Sequence, residues 1–294
     1  MKVLVTGANG QVGSELLRQG NALGLQMMAA GSGDLDITQA ALVEAYIARV
    51  APDVVINAAA YTAVDKAEEQ VERAYAVNRD GPANLAKTCA DASIPLLHIS
   101  TDYVFDGAQR DPYAEGDQPN PTTVYGCSKL AGEQAVAAHG GDFVILRVAW
   151  VFGAHGNNFV RTMLRLGAER TEMNIVADQR GGPTWAGDIA AVLLGLAQRL
   201  RDGAPVPAGI YHYAGQPATS WYAFAAEIFR QAEGMGLLSR VPRLNAITTD
   251  AYPTPARRPL NSVLACQKIA DTFGVTQPDW RVGLQHVLSE WKSQ

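Results

Sequence analysis

Lys2-Val3-Leu4-Val5-Thr6-Gly7-Ala8-Asn9-Gly10-Gln11-Val12-Gly13 decides the fold. A short apolar run, rich in β-branched side chains, is broken by glycine and passes straight into a helical pattern. Gly7 permits a tight turn. Gly10 lets the backbone approach a pyrophosphate, and Gly13 lets helix and strand pack closely. The N-terminus of the helix then offers unpaired N–H groups and partial positive charge to phosphates. A glycine triplet alone is a weak signal. Placed between a first strand and a first helix, it predicts a dinucleotide-binding turn.

Outward from this turn, strand-like and helix-like segments alternate. Residues 11–22 carry Val12, Leu16 and Leu17 at helical spacing. Strands are predicted at 25–30, 53–57, 95–100 and 142–148, and helices at 40–50, about 64–78, 80–92 and 124–138. Such alternation implies βαβ units and a parallel sheet covered on both faces. Right-handed crossovers make it an α/β, doubly wound, Rossmann-like sheet. After about residue 215 the strand signal thins and prolines gather. The predicted division is 1–150 with about 170–214 as the dinucleotide-binding domain. About 151–169 and 215–294 form a smaller C-terminal substrate lobe.

Composition narrows the function. The chain has 294 residues, 48% of them hydrophobic, which supports a full core. Its 29 acidic against 24 basic residues give a net charge of −5, a poor match for nucleic acid. The three cysteines, Cys89, Cys127 and Cys266, stand far apart without a CxxC pair, so reduced structural thiols are expected. The apolar start is too short for a signal peptide, and 190–197 is far too short to span a bilayer. A cytoplasmic protein without a membrane partner is expected. The five histidines show no metal spacing, and His98 on a predicted buried strand reads as a core residue.

Two further features carry chemistry. Tyr125-Gly126-Cys127-Ser128-Lys129 puts a phenol and an ammonium four residues apart, on one helix face. A tyrosine is a poor acid near its reference pKa of about 10, and a nearby ammonium favours its ionised form. Ser100-Thr101 ends a strand at the sheet edge where ligands bind in such folds. Thr101, Tyr125 and Lys129 therefore form the predicted catalytic set. The second strand ends in Gly31-Ser32-Gly33 with no carboxylate to repel a 2′-phosphate. This favours NADPH, with NADH left open. Asp36-Ile37 follows, and Asp36 alone also reads as a cap near Thr38.

The G-x-x-G-x-x-G spacing resembles the extended short-chain dehydrogenase/reductase family. More specifically, Ser100-Thr101-Asp102-Tyr103-Val104-Phe105-Asp106-Gly107 resembles the dTDP-4-dehydrorhamnose reductases within it. So do Asn57–Asp65, Gly156-Asn157-Asn158-Phe159, Gly182-Pro183-Thr184 and Tyr252–Pro259. The resemblance runs essentially along the whole chain. It implies an NADPH-dependent reductase of a keto group on a dTDP-linked 6-deoxysugar. By the same resemblance, Gly10, Gln11, Val12, Asp36, Ile37, Ala60, Tyr61, Thr62, Tyr125 and Lys129 contact the cofactor, beside the turn glycines Gly7 and Gly13, and Thr101, Asp102 and Trp150 contact the substrate. Asn158 is a further candidate on the substrate side. Arg257 and Arg258, in a proline-flanked loop of an acidic chain, are candidates to pair with a substrate diphosphate, and Arg258 is the one taken as substrate-binding. Related dehydratases carry glutamate after Thr-Asp, whereas this chain has Tyr103. Some members hold a divalent cation through glutamates at a dimer contact. Glu15 and Glu290 match two of the positions, but the third is Gly187, which has no ligand atom. No metal is therefore carried over, and a Mg2+ ion is not expected. Monomer and homodimer both remain open. The rival readings are a nucleotide-sugar epimerase of the same fold and a non-catalytic regulatory subunit resembling the methionine adenosyltransferase beta subunit.

Overall fold

The computed structural model describes residues 1–293. In chain order the elements begin β1 (Lys2–Thr6), α1 (Gln11–Ala22), β2 (Gln26–Ala30), α2 (Ala40–Val50) and β3 (Val54–Asn57). Then come α3 (Val64–Ala67), α4 (Val71–Tyr75), a π-helical turn (Ala76–Asp80), α5 (Gly81–Asp91) and β4 (Leu96–Thr101). The middle holds α6 (Val124–His139), β5 (Phe143–Val148), β6 (Val151–Phe152), α7 (Phe159–Glu169), β7 (Glu172–Val176), β8 (Arg180–Gly181) and β9 (Thr184–Trp185). The last third holds α8 (Ala186–Arg201), β10 (Gly209–Tyr213), β11 (Thr219–Ser220), α9 (Trp221–Gly234), β12 (Arg243–Ile247), α10 (Gln267–Phe273) and α11 (Trp280–Lys292).

Six strands form the main sheet in the order β2-β1-β3-β4-β5-β10, all parallel. The order reverses between β1 and β3, so a crevice opens beyond the strands' C-terminal ends at that point. Val3, Leu4, Val5, Val54, Val55 and Ile56 are fully buried, as strands covered on both faces require. The doubly wound sheet expected from the alternation is therefore present.

The glycine turn works through steric fit. Gly7 has φ +68°, and a Cβ there would stand 2.5 Å from the Ala59 nitrogen. A Cβ on Gly13 would stand 2.3 Å from the Gly7 carbonyl oxygen. The N-cap Gly10 has extended backbone and no side chain that caps the helix, so the first N–H groups of α1 are left for a ligand.

The predicted helix at 64–78 is broken into α3, α4 and the π-helical turn. The π-helical turn holds Asn78, whose amide is turned inward. Its oxygen accepts from the Tyr61 N–H at 2.8 Å, and its nitrogen donates to the Tyr61 carbonyl and to Ser128 Oγ, both at 3.0 Å. Such a local demand is invisible to periodicity.

Helix α6 is fixed to β5 by a buried ion pair. Arg147 Nε and Nη2 donate to the two Glu133 oxygens at 2.9 and 2.7 Å. Both side chains are almost fully buried. Arg147 also lies 3.3 Å from His212 Nε2, while His212 Nδ1 faces the Tyr113 carbonyl at 3.0 Å. His212 is thus the neutral tautomer with its proton on Nδ1. Burial, and then the Arg147 charge, push its pKa down to about 3.

A second core gathers Phe152, Val160, Met163, Phe224, Phe229, Trp280 and Leu284. Its membership differs from the predicted division in two places. Strand β7 pairs with β12 and β8 with β11, so residues from 172 to 181 join tail strands rather than the main sheet. Conversely, Leu264, Cys266, Ile269 and Phe273 sit in the main-sheet core, and Phe273 packs on Tyr211 of β10. Composition along the chain cannot reveal such crossings, because both cores use the same apolar residue types.

Candidate active site

The crevice at the C-terminal edge of the sheet is a cleft of about 730 Å³. The glycine turn, the end of β2, the end of β4, the start of α6, Trp150 and the tail residue Arg258 all line it. Of the expected cofactor residues, Gly7, Gly10, Gln11, Val12, Asp36, Ile37, Ala60, Thr62, Tyr125 and Lys129 line the cleft. Gly13 and Tyr61 are outside this lining. Gly13 serves the helix–strand approach described above, and the Tyr61 hydroxyl donates to Gln70 at 3.1 Å.

Three observations fit a phosphorylated dinucleotide. The N–H groups of α1 face the crevice without a side-chain cap. At the end of β2, Gly31, Ser32 and Asn9 line the wall. The carboxylate on that wall, Asp36, accepts from the Thr38 N–H at 3.0 Å and hydroxyl at 2.8 Å. Asp36 therefore lines the cleft and caps a turn at once. Finally, the buried Ser100 Oγ and Asp102 Oδ2, both on cleft-lining residues, have no hydrogen-bond partner. Orphaned polar atoms of this kind are what a ligand satisfies.

Thr123 caps α6 by accepting from the Gly126 N–H at 3.0 Å, which sets Tyr125 in the first turn. Gly126 is required there, because a Cβ would stand 2.2 Å from the Tyr103 carbonyl oxygen. Burial pushes the Tyr125 phenol above its ordinary value. The nearby Thr101 hydroxyl opposes this, while Asp102 and Tyr103 add to it. The expected lowering by Lys129 is not seen. Its ammonium instead donates to the Ile99 carbonyl at 2.7 Å, one residue before the orphaned Ser100.

Burial also acts on the two charged neighbours. It pulls Lys129 down to about 8, with Glu133 pulling the other way. Asp102 is pushed up to about 6, with the nearby Ser262 and Thr101 hydroxyls opposing. A test follows for Lys129. Below pH 8 it is charged, and it loses its proton as pH rises through that value. Since kcat/KM reports groups of the free enzyme, it should fall above about pH 8. The stability effect runs the other way. Between about 8 and 10.5 the unfolded chain holds more protons at this lysine, so its contribution to stability rises with pH. A kcat/KM profile flat to pH 9.5, measured beside melting temperatures, contradicts this assignment.

The substrate-side residues divide. Thr101, Asp102, Trp150 and Arg258 line the cleft. Asn158 is outside the lining: its amide nitrogen donates to Gln11 Oε1 and the Gly153 carbonyl, and its oxygen caps α7. Trp150, at φ +47°, stacks on Trp221 with ring centroids 3.6 Å apart and planes 6° from parallel. A Cβ on Gly181 would stand 2.4 Å from the same indole. Trp150 thus has one face stacked on Trp221 while still lining the cleft. Trp221, Asn9 and Ser100 were missed as lining residues. Trp221 shows in the sequence only as the first residue of a capped helix.

His98 is wholly buried, with Nδ1 bonded to Asn57 at 3.0 Å and Nε2 unpartnered. Burial drives its pKa well below the ordinary value, so it is a neutral core residue. Cys89 and Cys266 are buried, and burial pushes both thiols up to about 12.

At the position of the family's cation, Glu15 is held by Arg18 at 2.6 and 3.1 Å and by Gln19 at 3.2 Å. Glu290 instead lies 3.8 Å from His155. A Cβ on Gly187 would stand 2.4 Å from the Trp185 ring, so no third carboxylate fits there without moving it. Among the described residues no group of three or more His, Cys, Asp or Glu stands close enough to hold a metal. Among them, too, no helix is long and apolar enough to cross a membrane.

Residues 1–293 match the family model described as RmlD substrate binding domain. A dTDP-4-dehydrorhamnose reductase of Burkholderia thailandensis is 47% identical over 300 residues, with 100% of each chain covered. A crystal structure of a dTDP-4-dehydrorhamnose reductase from Clostridium acetobutylicum superposes with TM-score 0.92 at 39% identity, covering 99% of this chain and 100% of that one. One from Bacillus anthracis, in complex with NADP, superposes with TM-score 0.91 at 34% identity, covering 98% and 99%.

Proposed function

This chain belongs to the RmlD substrate binding domain family, and from that premise we propose that it is an NADPH-dependent reductase of the 4-keto group of dTDP-4-dehydro-6-deoxy-L-mannose, giving dTDP-L-rhamnose. The observation that carries the reading is local. Thr101, Tyr125 and Lys129 line one wall of the same cleft that the glycine turn opens.

Bound NADPH supplies the hydride. Tyr125 is the acid for the ketone oxygen. Burial keeps the phenol protonated at neutral pH, and giving that proton up requires a neighbouring positive charge that favours the phenolate. Thr101, whose hydroxyl also lies 3.0 Å from Asp102 Oδ1, orients that oxygen. Lys129 spends one donor on the Ile99 carbonyl. Two donors remain, enough to hold a ribose and to favour the phenolate once the cleft is filled. Asp102, with Oδ2 unpartnered, can accept from a sugar hydroxyl. The proposed setting is the cytoplasm, and the proposed assembly a monomer or a homodimer.

The test is an absorbance assay at the reduced-nicotinamide band with the dTDP-linked 4-keto sugar. One NADPH should be consumed per ketone, with dTDP-L-rhamnose as product and NADH the weaker donor. Sugar isomerisation without net oxidation of NADPH makes the chain an epimerase instead. No turnover of any kind favours a regulatory subunit.

A further inference from the structure

Two cations line the cleft among the described residues, Lys129 and Arg258. Lys129 is buried at the catalytic end, tied to the Ile99 carbonyl. That leaves Arg258 to face an anionic part of a ligand. Its guanidinium is not free to wander. Nη2 donates to Asp65 Oδ2 at 2.8 Å and Nη1 donates to the Tyr103 hydroxyl at 3.3 Å. Asp65 Oδ1 also accepts from the Ala256 N–H at 3.3 Å, two residues earlier in the same loop. Asp65 thus holds both the backbone and the side chain of this tail segment, across more than 190 positions of sequence. Tyr103 in turn packs its ring edge against Tyr125, centroids 5.4 Å apart.

We propose that Asp65 is a positioning residue for substrate: it fixes Arg258 so that the guanidinium's open donors meet the diphosphate of a nucleotide-linked sugar. The inference rests on the reductase reading and names how that site takes its anion. Two effects of Asp65 oppose each other. Its charge competes with the diphosphate, and its bond removes rotamer freedom from a long side chain. The pair is about one-third exposed, 30% for Arg258 and 37% for Asp65, so water screens the competing charge. Anchoring at two points survives that screening, and preorganisation wins.

The test is Asp65→Asn in the full chain, with binding of thymidine diphosphate measured by calorimetry and turnover by NADPH oxidation. The amide keeps the shape and loses the ion pair. Thymidine diphosphate should bind about five- to tenfold more weakly, as the release of one anchored side chain implies. KM for the sugar nucleotide should rise in step, with the loss falling on KM rather than kcat. Asp65→Glu should recover most of the affinity. In an Arg258→Ala background Asp65→Asn should add nothing, because its partner is gone. Unchanged or tighter binding in Asp65→Asn, or an equal loss in the Arg258→Ala background, overturns the proposal. A wild-type protein that binds no thymidine diphosphate and reduces no sugar sinks the reductase reading, and this inference with it. A competent wild type with an inert Asp65→Asn sinks this inference alone.

Discussion

Replacing Tyr125 by phenylalanine lowers kcat by about 10²–10⁴, the usual worth of a positioned general acid. The loss concerns one oxygen. The ring stays packed against Tyr103, and the helix keeps its Thr123 cap. Cofactor binding should therefore persist, since the glycine turn and the end of β2 are untouched. Dissociation constants for NADPH, measured by fluorescence, should agree between the two proteins within about twofold, while turnover collapses. Near-normal kcat in the variant would remove Tyr125 from the chemistry. It would leave Thr101 or Asp102 as the proton source, and Asp102, pushed up to about 6, is the stronger contender.

The second large effect concerns stability. Arg147→Met removes the partner of Glu133 and leaves a carboxylate in the core. Breaking a buried pair on one side costs about 3–5 kcal/mol. For a protein of this size the melting temperature should fall by roughly 5–8 °C. Adding Glu133→Leu to Arg147→Met removes the stranded charge, and most of the loss should return. The double variant also speaks to Lys129, since Glu133 is the charge that pulls the lysine's pKa upward. A scan of the single variant within 2 °C of wild type would mean that Glu133 finds another partner or takes up a proton without cost.

Much of the site was legible before any coordinates. Gly7 and Gly13 announce themselves because a turn and a packing contact each exclude a Cβ, and Gly10 because a ligand's approach favours a bare backbone there. Thr101, Tyr125 and Lys129 were legible through position: the end of a strand, and one face of a helix start. What stayed hidden depends on distant partners. Asp65 closes a family-like segment with no role of its own legible there, until the chain returns near residue 258. Asn158 sits in a family-like segment, yet its amide is spent on Gln11 and on capping α7. Trp150 suits a sugar face by residue type, and only the approach of Trp221 from far along the chain shows that one face is already stacked. The effect of Lys129 on the phenol also depended on direction. Four residues along a helix give proximity, but the ammonium points to a carbonyl.

The shared membership of the two cores has a consequence for how this protein can change. β10, the outer strand of the main sheet, and α10, packed upon it, both come from the last third of the chain. β7 and β8, which come earlier, belong with β12 and β11. No single cut separates a cofactor half from a sugar half. Recombination between relatives would have to exchange interleaved pieces together, so a new sugar preference is reached more readily by point changes in the cleft wall than by exchanging the tail as one cassette.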